Sequence, residues 1–345
     1  MNIMPLDLNI IWFILFVVII SGYLILDGFD MGVGILHLFV ADGDEERRIS
    51  LNSIGPIWDG NEVWLVLGGG VLFAAFPIVY ASLFSGFYAA MMLVLLFLIL
   101  RTVAIEFRSK RESEGWRRLW DFIFFLGSMS LALLFGVAFA NVLKGVPLNQ
   151  QGEMTINNVL ELLHPFALLL GVTTVALLAL HGAVYLNVKT TGDIQDRARA
   201  WIPWLMLVFA VLAGATVVWM YFQNLPSVTI YLQVGWYWAL PVIAAIAFIA
   251  LYFMVRRGQE FWAFVCSAIF IAFALYTLGV GLFPNLLIST TDAAYNLTIY
   301  NAASQPNTLT VMLIIALIGM PFVLLYSAGV YYIFRGKVRL EPDSY

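Results

Sequence analysis

The sequence predicts an all-α polytopic membrane protein: nine transmembrane helices, built as two four-helix bundles plus one extra helix. Three observations carry this expectation. The first is composition. Of 345 residues, 62% are hydrophobic and only 11% are charged, with a mean hydropathy of +0.93. Soluble domains have about 25% charged residues, and no soluble core could bury this much apolar surface. A cytosolic enzyme, a nucleic-acid binder and a disordered chain are therefore excluded. The second is a series of apolar runs near the ~20 residues needed to cross a bilayer. The third is the spacing of the basic residues between those runs.

Taken in order, the first run is 9–38. The first basic residue, Arg47, comes after it, so the run lacks the positive leader of a cleaved signal and is expected to remain as a span. A loop with Arg47 and Arg48 follows, then runs at 59–79 and 83–101, separated by a short turn near Pro77. Arg101, Arg108, Lys110, Arg111, Arg117 and Arg118 precede the fourth run, 119–143. A polar loop leads to the fifth, 158–186, and Lys189, Arg197 and Arg199 lead to the sixth, 201–222. The seventh, 236–254, is followed by Arg256 and Arg257 and then by the eighth, 260–283. The ninth, 308–334, ends in Arg335, Lys337 and Arg339. Alternate loops thus hold 16 of the 17 basic residues, and Lys144 is left on the other side. Cytoplasmic loops collect Lys and Arg, which predicts the N-terminus outside and the C-terminus in the cytoplasm. The expected units are 1–150 and 151–295, four helices each, and 296–345, the last helix and a cytoplasmic tail. A faint echo links the first two: Leu26-Asp27-Gly28 resembles Leu180-His181-Gly182. The outer loops 144–157 and 284–307 read as ordinary solvated caps.

Ionisable residues inside apolar runs are the informative ones, because each costs about 2.5–3.5 kcal/mol at a helix centre unless paired or hydrated. Asp27 and Asp30 lie three apart on one helix face, with His37 seven further along. They read either as a proton-conducting or cofactor-facing pair or as acids at a helix end. Asp59 and Glu62 follow Pro56. Asp59 suits an N-cap with Glu62 completing a capping box, and the two also suit a hydrated proton uptake point. Arg101 and Arg108 share a face. They read either as snorkelling side chains or as charges tuning a haem propionate or quinone site, with Glu106 pairing either with one of them or with a partner chain. Gly68-Gly69-Gly70 thins a helix and is not a phosphate loop, since no Lys-Ser/Thr follows.

The chain has one cysteine, Cys266, and three histidines, His37, His164 and His181. Disulfide frameworks, Cys-based metal sites and covalent c-type haem are excluded. No histidine pair sits at a shared depth for a b-type haem. His181, deep in its span, reads as a hydrogen-bonded core residue, with haem ligation as the other reading. No metal site is expected.

The runs LDGFDMGVG (26–34), GPIWDGNEVWLVLGGGVLFAAFP (55–77) and LRTVAIEFR (100–108) resemble subunit II of cytochrome bd-type quinol oxidases, including the cyanide-insensitive branch. The likeness is clear over about residues 10–140 and continues in LHGAVYLNVKT (180–190). The resemblance implies the nine-helix fold in a prokaryotic plasma membrane. It implies a partner, subunit I, that holds two haems b, one haem d and the quinol site, and often small accessory subunits. The complex would oxidise quinol, reduce oxygen to water and generate proton motive force. Asp59 matches a position implicated in a proton route. Glu62, Asp27 and Asp30 become candidates for that route, and Arg101 a candidate for tuning the cofactor site. A structural quinone in this chain is a further implication. Two other functions stand beside this one: a proton-coupled secondary transporter and a purely structural assembly subunit.

Overall fold

The computed structural model describes residues 7–340 apart from residue 157. The last five residues of the expected tail lie outside the described residues. Helix α1 spans Leu8–Val40, capped by the Asp7 carboxylate, which accepts from the amides of Asn9 and Ile10. A helix the apolar pattern did not reveal, α2 (Gly43–Ile54), fills the first basic loop. Its first turn holds Asp44, Glu45 and Glu46, which complement the helix dipole. Then come α3 (Trp58–Ala75), α4 (Pro77–Gly86), α5 (Tyr88–Phe107) and α6 (Glu114–Lys144). The second half holds α7 (Pro165–Lys189), α8 (Gly192–Phe222), the short α9 (Pro226–Gln233), α10 (Ala239–Arg256), α11 (Glu260–Leu282) and α12 (Pro306–Ile333).

Among the described residues, eight helices are long and apolar enough to cross a membrane. They correspond to every expected run except 59–79. That run is divided: Pro77 cannot extend the preceding helix, so α3 stops at Ala75 and α4 begins anew. The 18 residues of α3 reach about 27 Å, and Asp59, Asn61 and Glu62 near its start lower its hydropathy. The fifth run also starts later than expected. Residues Val159–Leu162 form a 3-10 turn capped by Asn158, and α7 begins at Pro165.

Helix α1 is the axis of the packing and contacts α3, α6, α7 and α11. It crosses α7 backbone to backbone. A side chain at Gly32 would overlap the Leu178 carbonyl and Gly182, and one at Gly182 would overlap Gly32. Small residues permit this approach where lipid supplies no hydrophobic drive. The loops expected to be solvated caps are not simple ones. Val146, Leu148, Leu286, Leu287, Leu297, Ile299 and Ala302 are all buried, and β1 (Asn285–Leu287) pairs antiparallel with β2 (Leu297–Thr298). Their apolar residues are scattered among polar ones, so no long run announced this second core.

Helix α12 lies at the periphery, where Leu309 is its buried residue. It is held mainly at its ends. At one, Trp12 Nε1 donates to the Leu309 carbonyl at 3.0 Å. At the other, Lys189 Nζ donates to the Phe334 carbonyl at 2.6 Å and the Val338 amide to Lys189 O at 2.8 Å.

Candidate functional site

Two clusters of charge lie within the half of the bundle that carries the basic loops. The first joins α1, α3 and α5. Arg101 is 1% exposed and Asp27 fully buried, so the arginine does not snorkel. Its Nη2 donates to Asp27 Oδ1 at 2.6 Å and to Glu62 Oε1 at 2.9 Å. One guanidinium thereby bridges two acids 35 residues apart in sequence. One helical turn along α1, Asp30 Oδ2 accepts from Asn61 Nδ2 at 2.8 Å. Asn61 Oδ1 accepts in turn from the Tyr331 hydroxyl of α12 at 2.6 Å. Asp27 Oδ2, Asp30 Oδ1 and Arg101 Nε and Nη1 are buried without a protein hydrogen-bond partner.

Asp59 stands at the outer edge of this cluster. It is exposed, in the first turn of α3, whose N-cap is Ile57 with no side-chain cap bond. The capping-box reading of Asp59 and Glu62 is therefore corrected: the helix begins one residue before Asp59, and Glu62 turns to Arg101 instead. Asp59 and Glu62 line a groove between α3 and α5 with Val63, Val66, Leu98 and Thr102. Exposure falls inward, from Asp59 on the surface through Glu62, with a 21% exposed side chain, to Arg101 and Asp27.

The second cluster centres on Asp121 of α6, which is 1% exposed. Its Oδ1 accepts from His37 Nε2 at 2.8 Å and from Arg108 Nε at 2.5 Å. Its Oδ2 accepts from Arg47 at 2.9 Å and Arg108 Nη2 at 3.3 Å. Arg108 also reaches Asp44 at 3.0 Å, and Arg117 reaches the same carboxylate at 2.8 Å. His37 therefore belongs here and does not join Asp27 and Asp30, although it follows them on α1. Asp121 is the residue that sequence reasoning missed. The available signal was an acid at the start of an apolar run, behind Arg117 and Arg118.

His181 is a core histidine. Its Nε2 lies 2.9 Å from the Ile25 carbonyl and its Nδ1 2.8 Å from Ser267 Oγ. A carbonyl only accepts, so Nε2 carries the proton and Nδ1 accepts from the serine. Both nitrogens are used, and the ring stacks on Phe264. His37 is likewise engaged at both nitrogens, by Asp121 and Ser50. Neither ring fits haem ligation without breaking its bonds. Among the described residues no group of three or more His, Cys, Asp or Glu gathers as metal ligands. His164 caps α7, its Nδ1 accepting the Ala167 amide. Burial, and then the Lys144 charge, hold its imidazole below the ordinary histidine pKa.

The comparisons with known proteins agree on one family. The profile described as cytochrome bd terminal oxidase subunit II matches residues 8–334. The cytochrome bd-I ubiquinol oxidase subunit 2 of Escherichia coli K12 is 38% identical, over 97% of this chain and 96% of its own length. The cytochrome bd ubiquinol oxidase subunit 2 of Bacillus subtilis is 36% identical over 98% and 99%. The solved bd oxidase from Geobacillus thermodenitrificans shares the fold, with a TM-score of 0.78 at 18% identity over 95% of this chain and 98% of the matched one. The chain belongs to the cytochrome bd terminal oxidase subunit II family.

Proposed function

We propose that the chain acts as subunit II of a quinol:oxygen oxidoreductase in the bacterial inner membrane, beside a haem-bearing subunit I, and that it passes cytoplasmic protons towards that partner. The family and its eight long apolar helices carry the first half of this reading. The observation that carries the second is the inward gradient from Asp59 through Glu62 to the buried Arg101, Asp27 and Asp30. Three carboxyl groups gather around one guanidinium: Arg101 bonds Asp27 and Glu62, and Asp30 lies one turn along α1 against Asn61. Uncompensated buried negative charge is costly, so this cluster attracts protons. Its buried oxygens without protein partners suit ordered water, and carboxyls bridged by water are the parts a proton relay needs. Arg101 serves this cluster as the fixed positive charge, and the haems (two b and one d) and the quinol site belong to subunit I. The surrounding architecture is nine spans, with α3 as the least apolar, in units 1–150, 151–295 and 296–345, the basic loops facing the cytoplasm. In support, α5 pairs with α6 as α10 pairs with α11, and α1 contacts α11 as α7 contacts α6.

One observation favours a second reading, an assembly role: the Arg101 bridge to Asp27 and Glu62 also ties three helices together. Asp59→Asn separates the two, because Asp59 is exposed and outside that bridge. In the purified complex, oxygen consumption should fall about tenfold, or ~1.4 kcal/mol in barrier, at unchanged haem absorbance. Full turnover with normal haem content would leave the proton reading without its outer residue.

A further inference from the structure

Helix α12 touches the rest of the chain so sparsely that its bonds to the charged clusters stand out. Tyr331 Oη lies 2.6 Å from Asn61 Oδ1, and Asn61 Nδ2 lies 2.8 Å from Asp30 Oδ2. A carboxylate oxygen needs a donor and a phenol can supply one. With Tyr331 donating to the amide oxygen, Asn61 must present its NH₂ to Asp30. Without that phenol the amide could turn over and present its oxygen instead. The tail after α12 fixes where Tyr331 sits. Lys337 Nζ donates to Glu260 Oε2 at 2.5 Å and to the Asn187 carbonyl at 3.1 Å. The Val338 amide bonds Lys189 O, and Lys189 Nζ returns to the Phe334 carbonyl. Four contacts thus clasp the tail to the ends of α7 and α11, within two turns of Tyr331.

We infer that Tyr331 is a positioning residue: held by the Lys337–Glu260 clasp, it orients the Asn61 amide so that Asp30 always meets a hydrogen-bond donor. Tyr331 transfers no proton itself. The inference rests on the reading of Asp30 as part of the proton route.

The test uses the purified two-subunit oxidase and compares Tyr331→Phe, Lys337→Gln and Asp30→Asn with the parent. The readouts are oxygen consumption, its solvent isotope effect in D₂O, and haem absorbance. Tyr331→Phe should lower turnover about fivefold, equivalent to one hydrogen bond of ~1 kcal/mol, with a larger isotope effect and an unchanged haem spectrum. Lys337→Gln should shift both readouts the same way by less, and it leaves the network's own side chains intact should Tyr331→Phe fail to assemble. Parent-like turnover and isotope effect in both variants, with Asp30→Asn impaired, would overturn the positioning role alone. Parent-like behaviour of Asp30→Asn as well would overturn the proton reading and this inference with it.

Discussion

The two charged clusters use the same residue types at similar depth, yet they are balanced in opposite directions. Around Asp27, two carboxyls share one guanidinium, a third, Asp30, is met by the Asn61 amide, and two carboxylate oxygens have no protein donor. Around Asp121, two carboxylates meet Arg47, Arg108, Arg117 and His37, and both Asp121 oxygens accept two donors. Both keep buried polar atoms without protein partners, but the first has more carboxyl groups than cations and the second more cations than carboxylates. A surplus of carboxyl groups draws protons, whereas a surplus of fixed cations repels them. The difference separates the cluster proposed to carry protons from one that locks α1, α2 and α6 together, although both look like buried salt bridges.

The largest expected effect breaks the locked cluster. Asp121→Leu leaves Arg108 buried without its main counter-ion, and a guanidinium cannot shed its proton to escape. Breaking a buried pair by removing one partner costs about 3–5 kcal/mol. We expect the purified complex to lose thermal stability sharply or to fail to assemble, as read by the melting temperature and by co-purification of the partner subunit I. A variant that assembles and melts like the parent would remove the distinction between the clusters.

The next effect is smaller because the acid-rich cluster has a remedy. Arg101→Leu leaves Asp27 and Glu62 unpaired, but an unpaired carboxyl neutralises itself by taking up a proton. The cost should be nearer the ~1–3 kcal/mol of an unsatisfied polar group. It should also shrink as the pH falls, since the neutral acid needs no counter-charge. Melting temperatures of this variant at several pH values check the sign: the gap to the parent should narrow on the acid side. A gap that widens there would mean that Asp27 and Glu62 are not what Arg101 stabilises.

The comparison also shows which features of the chain were legible in the sequence. Spans were readable wherever apolar residues ran unbroken, and the acids at Asp27, Asp30, Asp59 and Glu62 stood out against them. The pairings were not readable, because Arg101 meets Asp27 and Glu62 across gaps of 74 and 39 residues. Two equally reasonable local readings, snorkelling for Arg101 and a capping box for Asp59, gave way to contacts between helices. Asp121 escaped notice at the edge of a run, where an acid resembles loop sequence. Tyr331 is one of 15 tyrosines, and nothing in its neighbourhood along the chain points to Asn61. The amphipathic α2 and the apolar core between the loops of β1 and β2 and residues 146–148 were hidden for the reverse reason. Their buried residues are too few and too scattered to form a run.

His181 offers the mildest test and the one that isolates charge from burial. It is as deeply buried as Asp27 and sits on α7 near the crossing with α1. It differs in being saturated, donating to Ile25 O and accepting from Ser267. Replacing it by leucine leaves Ser267 Oγ without this partner, while the Ile25 carbonyl remains within a continuous helix. The expected loss of stability is about 1–2 kcal/mol, seen as a modest fall in melting temperature. Turnover per haem and its solvent isotope effect should stay at the parent values, since His181 meets neither charged cluster. If His181→Leu instead raised the isotope effect as Tyr331→Phe is expected to do, depth alone would decide which polar residues matter. The surplus of carboxyl groups around Asp27 would then lose its standing as the feature that marks the proposed proton route.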